Sequence, residues 1–326
     1  MPFADITGHD RIVEVLRRSL RSGKLSHSYI FEGIPGCGRR ATARMFIQAL
    51  YCQERGDDAC GSCPSCRKVA AGNHADIHLL EPLPDKRDIS VDQIRELQRE
   101  LALRPYEAIR KACLIEPAER MNANSANSLL KTLEEPPGNA LIILLTENAD
   151  ILLPTIRSRC QVIRFAPLSP EHLRSILRNK GIEDSRAEVL STMAEGSVQR
   201  ALERDNEGLL ELQKSVLTHL TTLSLASIKT IFDAAEELSG NRDETLQSLD
   251  ILISFMRDTV HLAAGSQQIT NSSFQQLLQS FANRLPLERA VSLLEALLET
   301  RRSIQRNANA KLSLDCLFIK MGTALS

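Results

Sequence analysis

The chain has 326 residues, with 40 Lys+Arg against 41 Asp+Glu and a formal net charge of −1, which argues against a protein that coats nucleic acid by bulk attraction. Hydrophobic residues make up 43% and charged residues 25%, the balance of a folded globular chain long enough for two or three domains. Aromatics at 4%, with no Trp, leave few stacking platforms for single-stranded bases, and no stretch reaches the roughly 20 apolar residues that span a bilayer.

The first ten residues, MPFADITGHD, carry neither the basic region nor the apolar core of a signal peptide. The expected compartment is therefore the cytosol, where eight cysteines serve as thiols or metal ligands rather than disulfides. The first confident strand is Ser28-Tyr29-Ile30-Phe31. It runs into Gly33-Ile34-Pro35-Gly36-Cys37-Gly38-Arg39-Arg40 and then a helical pattern. A strand, a Gly-rich loop and a helix are the context of a phosphate-binding loop, whose backbone N–H groups converge on phosphate oxygens. Two positions depart from that pattern. Arg39 stands where a Lys would reach the terminal phosphates, and Arg40 where a Ser or Thr would hold Mg²⁺; Thr42 comes two residues too late. The loop reads either as a weak anion site or as a tight structural turn.

Next come Cys52, Cys60, Cys63 and Cys66 within fifteen residues. Four thiolates, two of the gaps only two residues long, suit a closed tetrahedral Zn²⁺ site with a structural role. An iron–sulfur cluster and unmetallated buried thiols are the competing readings. Ile77–Leu80 reads as a buried strand, and residues 91–103 carry apolar residues at helical spacing. Arg110 and Lys111 then form a solvated loop, or a surface turned to DNA, ahead of the strand Ala112–Ile115. An ATPase of this layout ends that strand on a metal-binding Asp followed by a Glu that activates water. Here the two positions are Glu116 and Pro117, and Pro117 has no group that acts as a base. Two separated sites needed for hydrolysis are both impaired.

A helix over 125–133 lies in Asn127-Ser128-Leu129-Leu130-Lys131-Thr132-Leu133-Glu134-Glu135-Pro136-Pro137. The apolar run Leu141–Leu145 follows, then Ile156-Arg157-Ser158-Arg159-Cys160 and a last strand over Val162–Phe165. Strands alternating with helices imply a parallel sheet covered on both faces. Beyond Pro167-Leu168-Ser169-Pro170, with Ser169 as N-cap and Pro170 as first helical residue, everything reads as helix. Leu246, Leu249, Ile253, Met256 and Val260 fall on one helical face, as do Val291, Leu294, Leu297 and Leu298. Boundaries are expected near 165 and, in the polar stretch at Asp205, Asn206 and Glu207, near 208.

The altered phosphate loop, the four-Cys insertion, the Leu-Leu-Lys-Thr-Leu-Glu-Glu-Pro-Pro segment and Ser158-Arg159-Cys160 together closely resemble the AAA+ subunits of the bacterial clamp loader. The likeness runs from about Phe3 to Leu202. It continues more loosely to Asn307, Asn309, Lys311, Leu312 and Leu314, which look like the last helix region of these subunits. The motor subunits of that family (gamma/tau) keep Lys and Thr in the loop and an Asp-Glu pair on the strand; this chain resembles instead the fixed, non-hydrolysing member of the ring.

That resemblance implies an α/β AAA+ parallel-sheet domain over 1–165 with a zinc insertion at 52–66, a helical lid over 166–208 and an all-α collar over 209–326. It implies gamma/tau and delta subunits as partners, with the sliding clamp and primed DNA met through the complex. It assigns Arg159 to the neighbouring motor subunit's nucleotide site, where a guanidinium stabilises developing charge; a surface Arg capping a short helix is the plain reading of the same residue. Thr146 maps to the first sensor. The second sensor falls on Gln199, with Arg200 about 100° away around the helix. The alternative function is a clamp-loader-type subunit with residual ATP binding and hydrolysis of its own; a zinc-dependent DNA-binding module is the third reading.

Overall fold

The apolar runs form one parallel sheet of five strands: β1 (Ser28–Glu32), β2 (Ile77–Leu80), β3 (Ala112–Ile115), β4 (Leu141–Thr146) and β5 (Gln161–Arg164). In this computed structural model their order is β2-β3-β4-β1-β5, every neighbouring pair parallel. All residues are described except Met1, Arg55, Asn206, Glu207, 223–227, Gln267, Gln268 and Ser326. Two residues of the expected boundary near 208, Asn206 and Glu207, thus lie outside the described residues.

Side chains alternate between the two faces of the sheet. Tyr29, Phe31, Leu114 and Ile143 enter one core with Leu16 and Phe46, whereas Ile30, Cys113, Ile142 and Leu144 enter the other with Leu97, Leu129 and Leu133. Each such aliphatic or aromatic side chain contributes roughly 1.5–3 kcal/mol by leaving water. All six residues of β4 are buried. The two edges differ from the sequence expectation of buried strands: β2 is only half covered, with Leu79 exposed, and β5 buries only Ile163. An edge strand lacks one neighbour, so part of its surface faces solvent.

Helices α1 (Asp10–Ser22), α2 (Arg39–Leu50), α3 (Pro64–Ala71), α4 (Val91–Ala102), α5 (Ala123–Glu134) and the single turn α6 (Pro154–Arg157) connect or flank the strands. Their ends follow local chemistry. Ser90 and Gln93 form a reciprocal capping box at α4, and the Asn122 side chain accepts from Ser125 N at the start of α5. Past Glu134, the φ/ψ of Glu135 leave the helical region ahead of Pro136, and the helix stops.

The remaining helices are α7 (Pro170–Asn179), α8 (Asp184–Met193), α9 (Val198–Glu203), α10 (Leu209–Thr222), α11 (Ile228–Leu238), α12 (Arg242–Ala263), α13 (Gln275–Arg284), α14 (Leu287–Gln305) and α15 (Ala310–Leu325). Ser169 Oγ accepts from His172 N at 3.2 Å, capping α7 as its sequence implies. The chain divides into two compact units: residues 1–172 with 197–199, and residues 173–196 with 200–326.

Within the second unit α12 packs against α10, α13 and α14. It is buried well beyond one face, for Ser248, Asp250, Ser254, Asp258 and Thr259 are also enclosed. The polar members are satisfied internally. Asp250 lies between Arg204 and Arg301, at 2.5 and 2.6 Å, and Asp258 accepts from Thr270 and Asn271. In α14 the buried stripe is Ala290, Leu293, Leu297 and Ile304, one position off the expected Val291 and Leu294; Val291 is exposed.

Candidate nucleotide loop, cysteine centre and Ser-Arg-Cys segment

The Gly-rich loop leaves β1 at Gly33 and enters α2 at Arg39, as its sequence predicts. The turn is closed by Cys37 N donating to Ile34 O at 3.3 Å, and His9 Nε2 contacts Cys37 O at 2.7 Å. Residues 197–199 lie directly on it. Ser197 Oγ donates to Pro35 O at 2.7 Å and Val198 N to Gly36 O at 3.0 Å. Gly36 sits at φ +76°, and a Cβ there would come within 2.5 Å of Ser197 Oγ and 2.6 Å of Gln199 N. Only glycine permits both that backbone geometry and that approach.

Both arginines turn toward Glu116, Arg39 from within the fold and Arg40 from the surface. Arg39 is buried, its NH1 donates to Gly33 O, and its NH2 stands 4.0 Å from Glu116 Oε1. Arg40 Nε lies 3.2 Å from Glu116 Oε2, and its NH2 donates to Glu81 Oε1 at 2.7 Å. Burial pushes the Glu116 carboxyl above the usual range, and the guanidiniums of Arg40 and Arg39 partly oppose that rise. Gly33, Gly36, Gly38, Arg39, Arg40 and Glu116 are thus brought together, but as a set whose charges meet one another. Pro117 follows Glu116 as an unreactive turn residue. Thr146 ends β4 fully buried, its hydroxyl engaged with the backbone of Asn148 at 3.2–3.3 Å. Thr42 likewise turns its hydroxyl onto Gly38 O.

The four cysteines converge between α2 and α3. Their Sγ atoms all lie within 4.8 Å of one another, and Cys60 and Cys66 are 3.9 Å apart. A tetrahedral site with bonds of about 2.3 Å has sulfur–sulfur edges of about 3.8 Å. Backbone amides already aim at the sulfurs: Cys60 N at Cys52 Sγ (3.3 Å), Cys63 N at Cys60 Sγ (3.3 Å) and Cys66 N at Cys63 Sγ (3.4 Å). Such N–H groups stabilise thiolate, and those of Cys63 and Ser62 lower the Cys60 thiol to about 6. Burial raises Cys66. The donors fit a metal ion: all four are soft, mutually close and supported by amides.

Ser158, Arg159 and Cys160 follow α6 directly. Arg159 is partly exposed yet held from two sides. Its Nε donates to Glu134 Oε1 at 2.7 Å and NH2 meets the same oxygen, while NH1 donates to Thr155 O at 2.9 Å and Ser158 Oγ at 3.3 Å. Arg157 pairs separately with Asp150, and burial raises the Cys160 thiol to about 12.

Three features escaped sequence reasoning. Glu134 belongs to a motif that was singled out, but its partner lies 25 residues away and nothing local names it. The Asp76 carboxylate, fully buried, accepts from the backbone N–H groups of Tyr106, Glu107 and Ala108 at 2.6–2.9 Å and pins that turn. Burial would raise its pKa, but those three amides and nearby His74 hold it low. Lys111, expected in a solvated loop, is buried with Nζ donating to Glu100 O at 2.7 Å. An apolar strand follows it immediately, and the long stem enters the core while the ammonium finds a carbonyl.

A family model described as "DNA polymerase III, delta subunit" matches residues 8–169, and one described as "DNA polymerase III, delta subunit, C terminal" matches 207–321. DNA polymerase III subunit delta' of Bacillus subtilis strain 168 is 30% identical over 306 residues, covering 92% of each chain. The subunit of the same name from Pseudomonas aeruginosa PAO1 is 29% identical over 307 residues, 90% of this chain and 91% of that one. DNA polymerase III subunit tau of Escherichia coli K12 is 29% identical over 253 residues, 74% of this chain but 39% of tau. The match to tau covers 39% of that protein, whereas the match to delta' covers 92% of both chains; the chain belongs to the delta' family of DNA polymerase III clamp-loader subunits.

Proposed function

We propose that this chain is a non-hydrolysing member of a clamp-loader ring, which supplies Arg159 in trans to the nucleotide site of a neighbouring tau/gamma-type motor subunit. The observation that carries the reading is the contrast in how the arginines are held. Arg39 is buried against Glu116 and the loop's own Gly33 carbonyl, whereas Arg159 is fixed on a partly exposed segment by Glu134 and Thr155 O. A guanidinium presented beside terminal phosphates neutralises the charge that develops on the transferred group. On the chain's own loop no residue supplies the Lys, the Mg²⁺-binding hydroxyl or the base, so hydrolysis falls to the neighbour.

The assembly loads the sliding clamp on primed DNA in the cytoplasm, with delta and tau/gamma subunits as partners. Residues 1–165, 166–208 and 209–326 are the sheet domain, lid and collar of this reading. Among the described residues no helix is long and apolar enough to cross a membrane. Zinc is the metal that Cys52, Cys60, Cys63 and Cys66 would hold, and it would tie the end of α2 to the start of α3 without an open position for chemistry.

The test is reconstitution with tau/gamma and delta and measurement of DNA-stimulated ATPase. Arg159→Ala leaves assembly intact and strongly lowers turnover, while the chain alone neither binds nucleotide tightly nor hydrolyses it. Unchanged turnover removes the trans role; hydrolysis by the isolated chain removes the non-hydrolysing one.

A further inference from the structure

We propose that Glu134 is the positioning residue for Arg159, fixing the guanidinium in one orientation before a neighbouring subunit's nucleotide meets it; this rests on the trans role assigned to Arg159 above. Glu134 is the last residue of α5. A carboxylate in the last turn of a helix opposes the macrodipole, whose negative end lies there, so local helix chemistry disfavours the residue. Its charge is answered by Arg159, 25 residues on, through Nε at 2.7 Å and through NH2. The opposite edge of the guanidinium is held by Thr155 O at 2.9 Å.

The arrangement is selective. Arg157, two residues earlier, goes to Asp150, so the two arginines of the segment are sorted onto different carboxylates. An unrestrained Arg has among the largest rotamer entropies of any side chain, and a planar fork bound along an edge loses most of it beforehand. A donor fixed before docking acts on developing charge without reorganising at the moment of reaction. The pair is half-exposed, with side-chain exposures of 35% for Arg159 and 48% for Glu134; such pairs contribute little to stability. Its removal is therefore expected to change function without unfolding the chain.

Two measurements test this. In the chain alone, the Nε–H resonance of Arg159 exchanges slowly with solvent, faster in Glu134→Ala, and with recovery in Glu134→Gln, which keeps an acceptor oxygen at the same reach. In the reconstituted complex, Glu134→Ala lowers the motor subunits' kcat about tenfold with KM unchanged. Glu134→Gln restores it to within about threefold, and Glu134→Ala has no further effect on an Arg159→Ala background. The inference is overturned if Arg159→Ala impairs turnover while Glu134→Ala does not, if Glu134→Ala raises turnover, or if the two effects add. Should Arg159→Ala itself be silent, the trans role fails, and the Nε–H exchange then reports separately whether Glu134 restrains the side chain.

Discussion

The first unit contains two arginine–glutamate arrangements built from the same chemistry with opposite outcomes. At the phosphate loop Arg39 has only 6% of its side chain exposed and turns back to Gly33 O and Glu116. After α6, Arg159 meets Glu134 and Thr155 O but keeps 35% of its side chain in solvent. A buried guanidinium must find partners within its own fold, because an unpaired buried charge is costly. One at the surface is restrained by its partners yet stays available. Burial separates Arg39, covered within its own fold, from Arg159, part of whose side chain still faces solvent.

The largest effect that tests this contrast is on catalysis. Arg159→Ala in the reconstituted complex is expected to lower the neighbour's ATPase by about a thousandfold, the scale of an arginine acting in trans, while its own thermal unfolding moves by no more than an exposed ion pair allows, within about 1 kcal/mol. A large loss of stability with unchanged turnover would reverse the assignment. The second effect falls on the loop side, since α2 carries Arg39 at its start and Cys52 just past its end. Cys66→Ser, at a fully buried position, is expected to abolish metal binding by the four thiols and to cost about 3 kcal/mol of stability. Metal analysis and calorimetry on the same preparation check it. A metal-free wild-type chain of unchanged stability would leave the four thiols as packing groups.

The sheet was readable in the sequence because each strand is an apolar run bounded by turn residues; β2 and β3 form over the expected residues, β1 and β4 run one residue further, and β5 is shifted by one. The Gly-rich loop, the cysteine group and the Ser-Arg-Cys segment were legible for a related reason: each motif is contiguous or nearly so. Direction was not legible. That Arg39 and Arg40 stand at the two altered positions is written in the chain, but that Arg39 folds back onto Gly33 depends on β3 delivering Glu116 beside it. The helical half resisted for another reason. α12 is enclosed by neighbours on several sides, so its polar residues Asp250 and Asp258 are buried, and a one-face amphipathic pattern cannot express burial of that kind.

The third prediction measures the loop side in stability. Arg39→Ala leaves the mostly covered Glu116 carboxylate with one guanidinium fewer, and is expected to cost about 2 kcal/mol near neutral pH, more than Arg159→Ala costs in the same assay. Its pH dependence has a fixed sign. The folded-state pKa of Glu116 is raised, so this carboxyl favours the folded chain most below its unfolded pKa. That contribution is lost as pH rises through the folded value. Removing Arg39 raises the folded pKa further, so the loss extends to higher pH. Urea unfolding across the acid range should show the difference between variant and parent widening as pH increases. A constant difference would mean that Arg39 acts through Gly33 O alone.

The smallest expected effect separates the two arginines of the loop. Arg40 is half-exposed and shared between Glu81 at 2.7 Å and Glu116 at 3.2 Å. Its pair with Glu81 lies in solvent on both sides and is screened by salt. Only the contact to Glu116 reaches a largely covered group, and there Arg39 remains as a second cation. Arg40→Ala is accordingly expected to cost less than about 1 kcal/mol, with that small cost shrinking in high salt, whereas the cost of Arg39→Ala should persist there. Equal costs for the two at low salt would place the closing of the loop in the summed positive charge around Glu116. Unequal costs, with Arg39 dominant, place it in the one guanidinium that is both buried and bonded to the loop's first carbonyl.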